Sequence, residues 1–363
     1  MKNSPDAAAP AKAEARLCAR LGLTAEQSVA FIAALRSGNC SRRAIVLTPL
    51  AGDDYRPPFP CEDSSGAPWL PPRVLIPRAD VRPAACEDYR RGLFYILDLS
   101  SCWESAALSC VPRPRRSLDL CAAPGGKTML LCARFRDALP RGEAEESSRR
   151  DAIATSALSG PPTSCAERTE TVKFSEESAE CGEIPSRDTD ADTQTPLEHT
   201  ANEVSPSRRG ILRQNLEQCG LGCVTVTGLR PDQWRDRDER FDLLLIDAPC
   251  SGQSLLAKGI ANPGCLGPSA VNGNAKRQKG ILLAAAGLVS PGGHILYTTC
   301  TYDPDENEKV MAYVLRRIPG WEAIDIPSLN AFRSALCDFP AYRLLPMHGF
   351  GAGGFCCLLK KRE

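Results

Sequence analysis

From Gly92 onward the chain alternates apolar runs with segments of helical pattern, and this rhythm limits the possible folds more than any other feature. Runs such as SLDL, FDLLLID and GGHILYTT are each followed by a polar or glycine-containing turn and then by a helical pattern. Apolar strands that alternate with helices build a sheet covered on both faces. The sequence therefore predicts an α/β, Rossmann-like fold with a mostly parallel doubly wound sheet, whose ligands bind at the carboxyl ends of the strands.

The chain divides into segments of different composition. Residues 1–13 are polar and alanine-rich, which predicts a flexible tail. Residues 14–90 combine two helical patterns, the second capped by Thr24, with short apolar runs and proline-rich stretches, which predicts a small α+β domain. Residues 91–363 carry the α/β pattern, interrupted at 137–196 by a serine-, threonine- and glutamate-rich stretch that predicts a disordered acidic insertion.

The charge is unevenly distributed along the chain, although the formal net charge is zero. Asp137 to Thr200 carries a net charge of −9, so the remainder carries +9, which favours a polyanionic partner. The 18 cysteines are scattered, which indicates reduced thiols, and with three histidines in the chain we expect no metal site. No apolar stretch approaches the ~20 residues of a membrane span, so we expect a cytoplasmic protein. We also expect a monomer.

The segment SLDLCAAPGGKT reads as a strand, a glycine turn and a helix. Such a turn directs backbone N–H groups and the positive end of the helix toward a polar or anionic ligand. The pattern is neither G-x-G-x-x-G nor G-x-x-x-x-G-K-[ST], which argues against a dinucleotide site and a P-loop. An ordinary strand-to-helix turn is the alternative.

Two cysteines each follow an apolar run, Cys250 in FDLLLIDAPCSG and Cys300 in GGHILYTTCTYD. A free cysteine usually packs as a small buried hydrophobe, so one such position alone would carry little weight. Neighbouring strands lie about 4.8 Å apart, which allows two cysteines at adjacent strand ends to share a pocket. A thiolate is an effective nucleophile, and the pair therefore indicates covalent catalysis.

The three blocks LDLCAAPGGKT, DAPCSG and TTCT resemble, in order and spacing, the RNA cytosine-5 methyltransferases of the RsmB/RsmF/Sun type. The resemblance extends from about Arg91 to the C-terminus, apart from the insertion. It implies a class I methyltransferase fold, S-adenosylmethionine as the cofactor, and ribosomal or transfer RNA as the substrate. It also implies that residues 14–90 form an RNA-binding domain.

The resemblance assigns roles to individual residues. Cys300 would attack C6 of cytosine, Asp247 would support N3, and Cys250 would assist release of the product. Glu203 follows a strand at which Rossmann-like folds place a carboxylate for ribose hydroxyls, and Asp232 would contact the adenine. The positions that the resemblance assigns to the cofactor are Cys121, Ala122, Ala123, Pro124, Gly125, Gly126, Lys127, Glu203, Asp232 and Asp247.

The sequence leaves several alternatives open. In a DNA cytosine-5 methyltransferase Cys250 would be the nucleophile, although the TTCT block argues against it. A non-catalytic RNA-binding or ribosome-assembly factor could keep the fold, although it would not need both cysteines. Asp305 and Glu308 have the spacing of a helix N-cap and its partner. The following basic residues could contact phosphate or form a solvated face: Lys258, Lys276, Arg277 and Lys279.

Overall fold

The computed structural model of the protein describes residues 11–139, 195–230, 233–234 and 237–363. The predicted tail lies outside the described residues up to residue 10, and the predicted acidic insertion lies outside them from 140 to 194. Residues 11–139 and 197–363 belong to one compact unit. Within the part described, no helix is both long and apolar enough to span a bilayer.

The N-terminal part consists of short helices and a small antiparallel sheet with the strand order β2-β1-β3. Its elements are α1 (Lys12–Arg20), α2 (Ala25–Ser37), β1 (Arg43–Leu47), β2 (Val74–Leu75), α3 (Glu87–Arg90) and β3 (Phe94–Asp98). The predicted cap of α2 is confirmed, because the Thr24 hydroxyl accepts a hydrogen bond from the Gln27 N–H at 3.2 Å. The apolar run of β3, with which the α/β alternation begins in the sequence, instead pairs antiparallel with β1.

The larger sheet has the strand order β10-β11-β8-β7-β4-β5-β6, and β9 pairs with residues 358–361 of β11, beyond the residues that pair with β10. Its strands are β4 (Arg116–Asp119), β5 (Glu198–Asn202), β6 (Thr225–Thr227), β7 (Phe241–Asp247), β8 (Val289–Thr299), β9 (Trp321–Ile324), β10 (Tyr342–Leu344) and β11 (Gly354–Lys361). The run from β6 to β8 is parallel, whereas β11 is antiparallel to β8. The predicted α/β, Rossmann-like fold with a mostly parallel sheet is confirmed.

Helices cover this sheet. They are α4 (Leu99–Glu104), α5 (Gly126–Arg134), α6 (Pro206–Gln218), α7 (Ser254–Ala257), α8 (Pro268–Ala286) and α9 (Glu308–Arg317). Strand β7 shows why both faces need cover, since Leu243 and Leu245 join one apolar cluster while Leu244 and Ile246 join another. All four side chains are fully buried, which is typical of a parallel strand between two helical layers.

The parallel strands end at one edge of the sheet. Asp119 of β4 lies beside Ala201 of β5 and beside Leu245 of β7, while Asp247 of β7 lies beside Thr298 of β8. The turns that follow these strands are therefore neighbours. They contain the glycine turn, Cys250 and Cys300.

The predicted cap of the last long helix is wrong. Helix α9 begins at Glu308, with Asn307 in the N-cap position, so Asp305 lies outside the helix. The Asp305 carboxylate instead forms ion pairs with Arg20, at 2.6 Å, and with Lys309, at 2.8 Å. These charged partners, one of them distant in the sequence, satisfy the carboxylate in place of the helix N-terminus.

Candidate active site

Cys250 and Cys300 meet at the carboxyl end of the sheet. Cys300 directly follows β8, and Cys250 lies three residues beyond the end of β7. The two Sγ atoms are 3.3 Å apart. The structure thus brings together the two cysteines that the sequence singled out, and each is partly exposed.

The two thiols differ in their tendency to ionise. The hydrogen bond from Cys250 lowers the pKa of the Cys300 thiol, and the nearby Lys127 ammonium lowers it further, against the opposing effect of burial. The same contact with Cys300, together with burial, raises the pKa of Cys250 well above its ordinary value. Cys300 is therefore the thiol of the pair that ionises more readily.

Lys127 lies between two carboxylates beside the cysteines. Its Nζ is 2.7 Å from Glu104 Oε2 and 2.9 Å from Asp247 Oδ2. The other oxygen of Asp247 accepts a hydrogen bond from the Thr298 hydroxyl at 3.0 Å. Asp247 and Lys127 were both predicted site residues, whereas sequence reasoning missed Glu104. An apolar helical segment gives no sign that its last residue will meet a lysine of another helix.

The burial of this ion-pair cluster perturbs its titration. Glu104 is 2% exposed and Lys127 7% exposed. Burial raises the pKa of Glu104 to about 8, although the Lys127 ammonium opposes that rise. The two adjacent carboxylates raise the pKa of Lys127 against the effect of burial, so the lysine stays charged.

The glycine turn is fixed by backbone hydrogen bonds and by two glycines. The Ala122 N–H donates to the Asn202 carbonyl at 2.9 Å, which ties the turn to the end of β5. Gly125 has a φ of 115°, a conformation that favours glycine, and it is the N-cap of α5. A Cβ on Gly126 would lie 2.5 Å from Leu97 Cδ2, so a side chain there would clash.

Two acidic residues lie near this turn. Glu203 directly follows β5 and is buried; its Oε1 accepts from the Ser205 N–H at 2.9 Å, and its Oε2 is 3.2 Å from Arg208. Asp119, which sequence reasoning missed, accepts from the Thr128 hydroxyl at 2.8 Å, but its Oδ1 has no hydrogen-bond partner among the described residues. Burial raises the pKa of Asp119 to about 7. The predicted Asp232 lies outside the described residues.

The acidic stretch after Cys300 fixes the turns that carry both cysteines. The buried Glu306 carboxylate accepts from the Ser251 N–H at 2.8 Å and from Gln278 Nε2 at 3.0 Å. Asn307 accepts from the Thr299 hydroxyl at 2.6 Å and donates to the Thr301 carbonyl at 3.0 Å. Asn307 thereby binds the residues on either side of Cys300.

Two basic residues that could contact phosphate already have partners. Lys258 Nζ is 3.6 Å from Asp98 Oδ2, and Lys279 Nζ lies 5.0 Å from the centre of the Tyr313 ring. Lys276 and Arg277 are exposed on α8. Across the described ranges, no cluster of three or more histidine, cysteine, aspartate or glutamate side chains could hold a metal ion.

Comparison with known proteins identifies similar sequences. Residues 194–360 match the family model of the 16S rRNA methyltransferases RsmB/F. The chain is 28% identical over 276 residues to the ribosomal RNA small subunit methyltransferase F of Klebsiella pneumoniae, covering 75% of this chain and 45% of that protein. It is 27% identical over 292 residues to the Citrobacter koseri protein of the same name, covering 78% and 47%. The chain thus spans about half the length of these curated relatives.

Two solved structures from Pyrococcus horikoshii have the same fold. A methyltransferase homologue from Pyrococcus horikoshii superposes with a TM-score of 0.64 at 18% identity, covering 97% of this chain and all of that one. NSun6 from Pyrococcus horikoshii, solved with SFG, superposes with a TM-score of 0.60 at 14% identity, covering 98% of both chains. At these identities the likeness shows the fold.

Proposed function

The chain belongs to the RsmB/F methyltransferase family, and from that premise we propose that it transfers the methyl group of S-adenosylmethionine to C5 of a cytosine in RNA. The observation that carries the proposal is the pair of Cys250 and Cys300 sulfur atoms 3.3 Å apart. The Asp247 carboxylate, held by Lys127 and Thr298, lies at the same edge of the sheet.

Cytosine C5 is too electron-poor to accept a methyl group unaided, so the chain must first activate the ring. The Cys300 thiolate adds to C6, and this bond makes C5 nucleophilic. Asp247 stabilises the protonated N3, which accommodates the charge that develops during addition. After transfer, water takes the C5 proton, the electron pair of that C–H bond restores the C5–C6 double bond, and Cys300 leaves C6 as the thiolate. Cys250 assists this release. The lower pKa of the Cys300 thiol supports this division of roles.

The residues at the glycine turn fit the proposed cofactor, which when bound supplies an electrophilic methyl group. Glu203 provides a buried carboxylate at the end of β5 for hydroxyl groups. Asp119 Oδ1, which lacks a partner among the described residues, could accept from an ammonium group. The N-terminus of α5 suits a carboxylate group. We keep the predicted positions from Cys121 to Lys127, with Asp232, as part of this proposal.

The names of the relatives narrow the choice of RNA substrate. Their names specify ribosomal RNA of the small subunit, which we favour over transfer RNA as the first substrate to test. The target base must leave its stack to reach a pocket of this kind. We propose that the protein acts as a cytoplasmic monomer.

The test compares the unmodified protein with Cys250→Ala and Cys300→Ala variants, using labelled S-adenosylmethionine and small-subunit RNA. The first variant should accumulate a covalent protein–RNA species on denaturing gels, because release is impaired. The second should form none and transfer no methyl group. Cys110→Ala, at a cysteine outside the pocket, is the matched control and should behave as the unmodified protein.

Other results would support the alternatives. If Cys300→Ala still trapped nucleic acid while Cys250→Ala did not, the cysteine roles would be reversed. Transfer to DNA in place of RNA would favour a DNA methyltransferase. If the unmodified protein bound RNA but transferred no methyl group to any nucleic acid, a non-catalytic assembly factor would be the better description.

A further inference from the structure

We infer that Glu104 is a positioning residue of this site, which holds the Lys127 ammonium against Asp247 and sets the charge beside Cys300. The inference deepens the proposed function and rests on it for its catalytic meaning. Its geometric basis is independent of the reaction.

Glu104 and Asp247 share a single lysine. Glu104 Oε2 and Asp247 Oδ2 are 2.7 Å and 2.9 Å from the same Nζ. The Asp247 side chain is 39% exposed, whereas Glu104 is almost completely buried. Glu104 therefore anchors the lysine from the interior, and Asp247 presents its carboxylate to the pocket.

Strand β11 leaves space for the Glu104 carboxylate at Gly354. A Cβ on Gly354 would lie 2.0 Å from Glu104 Oε1, so no other residue type fits unless Glu104 moves. Cys356, two residues further on the same face of the strand, has a pKa raised by burial and by the charge of Glu104. The glycine at 354 thus makes room for a buried carboxylate that packing alone would exclude.

The net charge of the cluster depends on whether Glu104 is ionised. The titratable groups that act on the Glu104 carboxyl or respond to its charge are Cys102 of α4, Lys127 of α5, Asp247 of β7, Cys300 and Cys356. With its pKa raised to about 8, Glu104 changes charge in the range in which a catalytic thiol ionises. While Glu104 is protonated, Lys127 balances Asp247 and the cluster is neutral. Once Glu104 ionises, the cluster carries one net negative charge, which opposes the Cys300 thiolate.

The experiment measures the reactivity of Cys300 in the protein alone. Cys300 is alkylated with iodoacetamide across pH 6 to 10 and quantified by mass spectrometry of its peptide. The measurements use the Cys250→Ala background, so that coupling to the other thiol is absent. Adding Glu104→Gln should lower the midpoint of alkylation by about half a pH unit or more, because one negative charge is removed. Glu198→Gln, at an exposed glutamate, should leave the midpoint unchanged.

Further outcomes decide between a positioning role and a structural one. Glu104→Asp keeps the charge and should keep the midpoint near that of the parent. In the Cys250→Ala parent, which keeps Glu104, the pH profile of Cys300 alkylation should be broader than a single titration, since two groups ionise in the same range. An unchanged midpoint in folded Glu104→Gln would overturn the inference. If that variant does not fold, a single-step profile in the parent would overturn it.

The alkylation assay needs neither RNA nor S-adenosylmethionine, so the two proposals fail separately. A shifted midpoint in a protein that transfers no methyl group would overturn the proposed function only. Methyl transfer with an unshifted midpoint would overturn only the role of Glu104.

Discussion

Replacing Lys127 by methionine should destabilise the protein by an amount that increases with pH. The substitution removes the counter-charge of Glu104 and Asp247 while keeping an aliphatic side chain of similar length. Removing one partner of a buried ion pair typically costs about 3–5 kcal/mol. At pH 6 Glu104 holds its proton, since burial raises its pKa to about 8. Solvent also screens the partly exposed Asp247. The expected loss there is about 3 kcal/mol, the lower end of the range.

Above pH 8 the loss should grow. Without Lys127 the pKa of Glu104 rises further, so the folded variant keeps a proton that the unmodified folded protein releases near pH 8. The unfolded chain has already released this proton, near the ordinary carboxyl pKa. A native state that binds more protons than the unfolded state loses stability as pH rises, by at most about 1.4 kcal/mol per pH unit for one group. At pH 9 the expected loss is therefore about 4–5 kcal/mol.

Urea unfolding at pH 6 and pH 9, followed by far-ultraviolet circular dichroism, measures these losses. The matched control is the double variant Lys127→Met with Glu104→Gln, in which the group that titrates is absent. Its destabilisation should not exceed that of Lys127→Met at pH 9. The double variant should also lack the growth in destabilisation above pH 8 that is expected for Lys127→Met. An equal loss at both pH values in Lys127→Met would refute the reasoning, as would an increase that persists in the double variant.

Three further predictions concern other contacts. In the unmodified protein the buried Arg343 guanidinium lies 2.5 Å from the Glu308 carboxylate. Glu308→Gln leaves the guanidinium without its counter-charge and should lower the free energy of unfolding by about 3–5 kcal/mol in urea titrations. Thr24→Ala should lower it by about 1 kcal/mol, since the cap of α2 is lost, whereas Thr24→Ser should retain most of it. Mild peroxide treatment should link Cys250 to Cys300 by a disulfide. The two Sγ atoms are 3.3 Å apart and must approach by only about 1.3 Å to reach bonding distance. Peptide mapping without reductant would show the disulfide, and its absence would contradict the distance.

The part of the site that follows from local sequence could be predicted. Each strand of the parallel sheet is an apolar run whose end is visible in the sequence, and parallel strands end at one edge. That reasoning placed Cys250 and Cys300 in adjacent turns, and the structure brings their sulfur atoms into contact. The cap of α2 could also be predicted, because Thr24 and Gln27 are three residues apart and bind each other's backbone.

The rest depends on contacts between distant residues. Glu308 has a spacing that suits a cap, but its carboxylate forms a buried ion pair with Arg343, 35 residues further along the chain. The strand β3 is as apolar as its successors, yet an apolar pattern does not identify a pairing partner, and β3 pairs with β1. The role of Glu104 could not be predicted for the same reason, because its partner Lys127 lies on another helix and the space for its carboxylate depends on Gly354.

The arrangement of charges explains why the site would include a second carboxylate. In the proposed reaction the pocket must hold the Asp247 carboxylate and a Cys300 thiolate together, and one lysine cannot neutralise both. A third permanent negative charge would make the thiolate harder to form. The raised pKa of Glu104 avoids this conflict near neutral pH, because the protonated carboxyl still binds Lys127 without adding charge. The cost appears above pH 8, where ionised Glu104 competes with the thiolate. Methyl transfer should therefore reach its maximum at a lower pH than ionisation of Cys300 alone would allow.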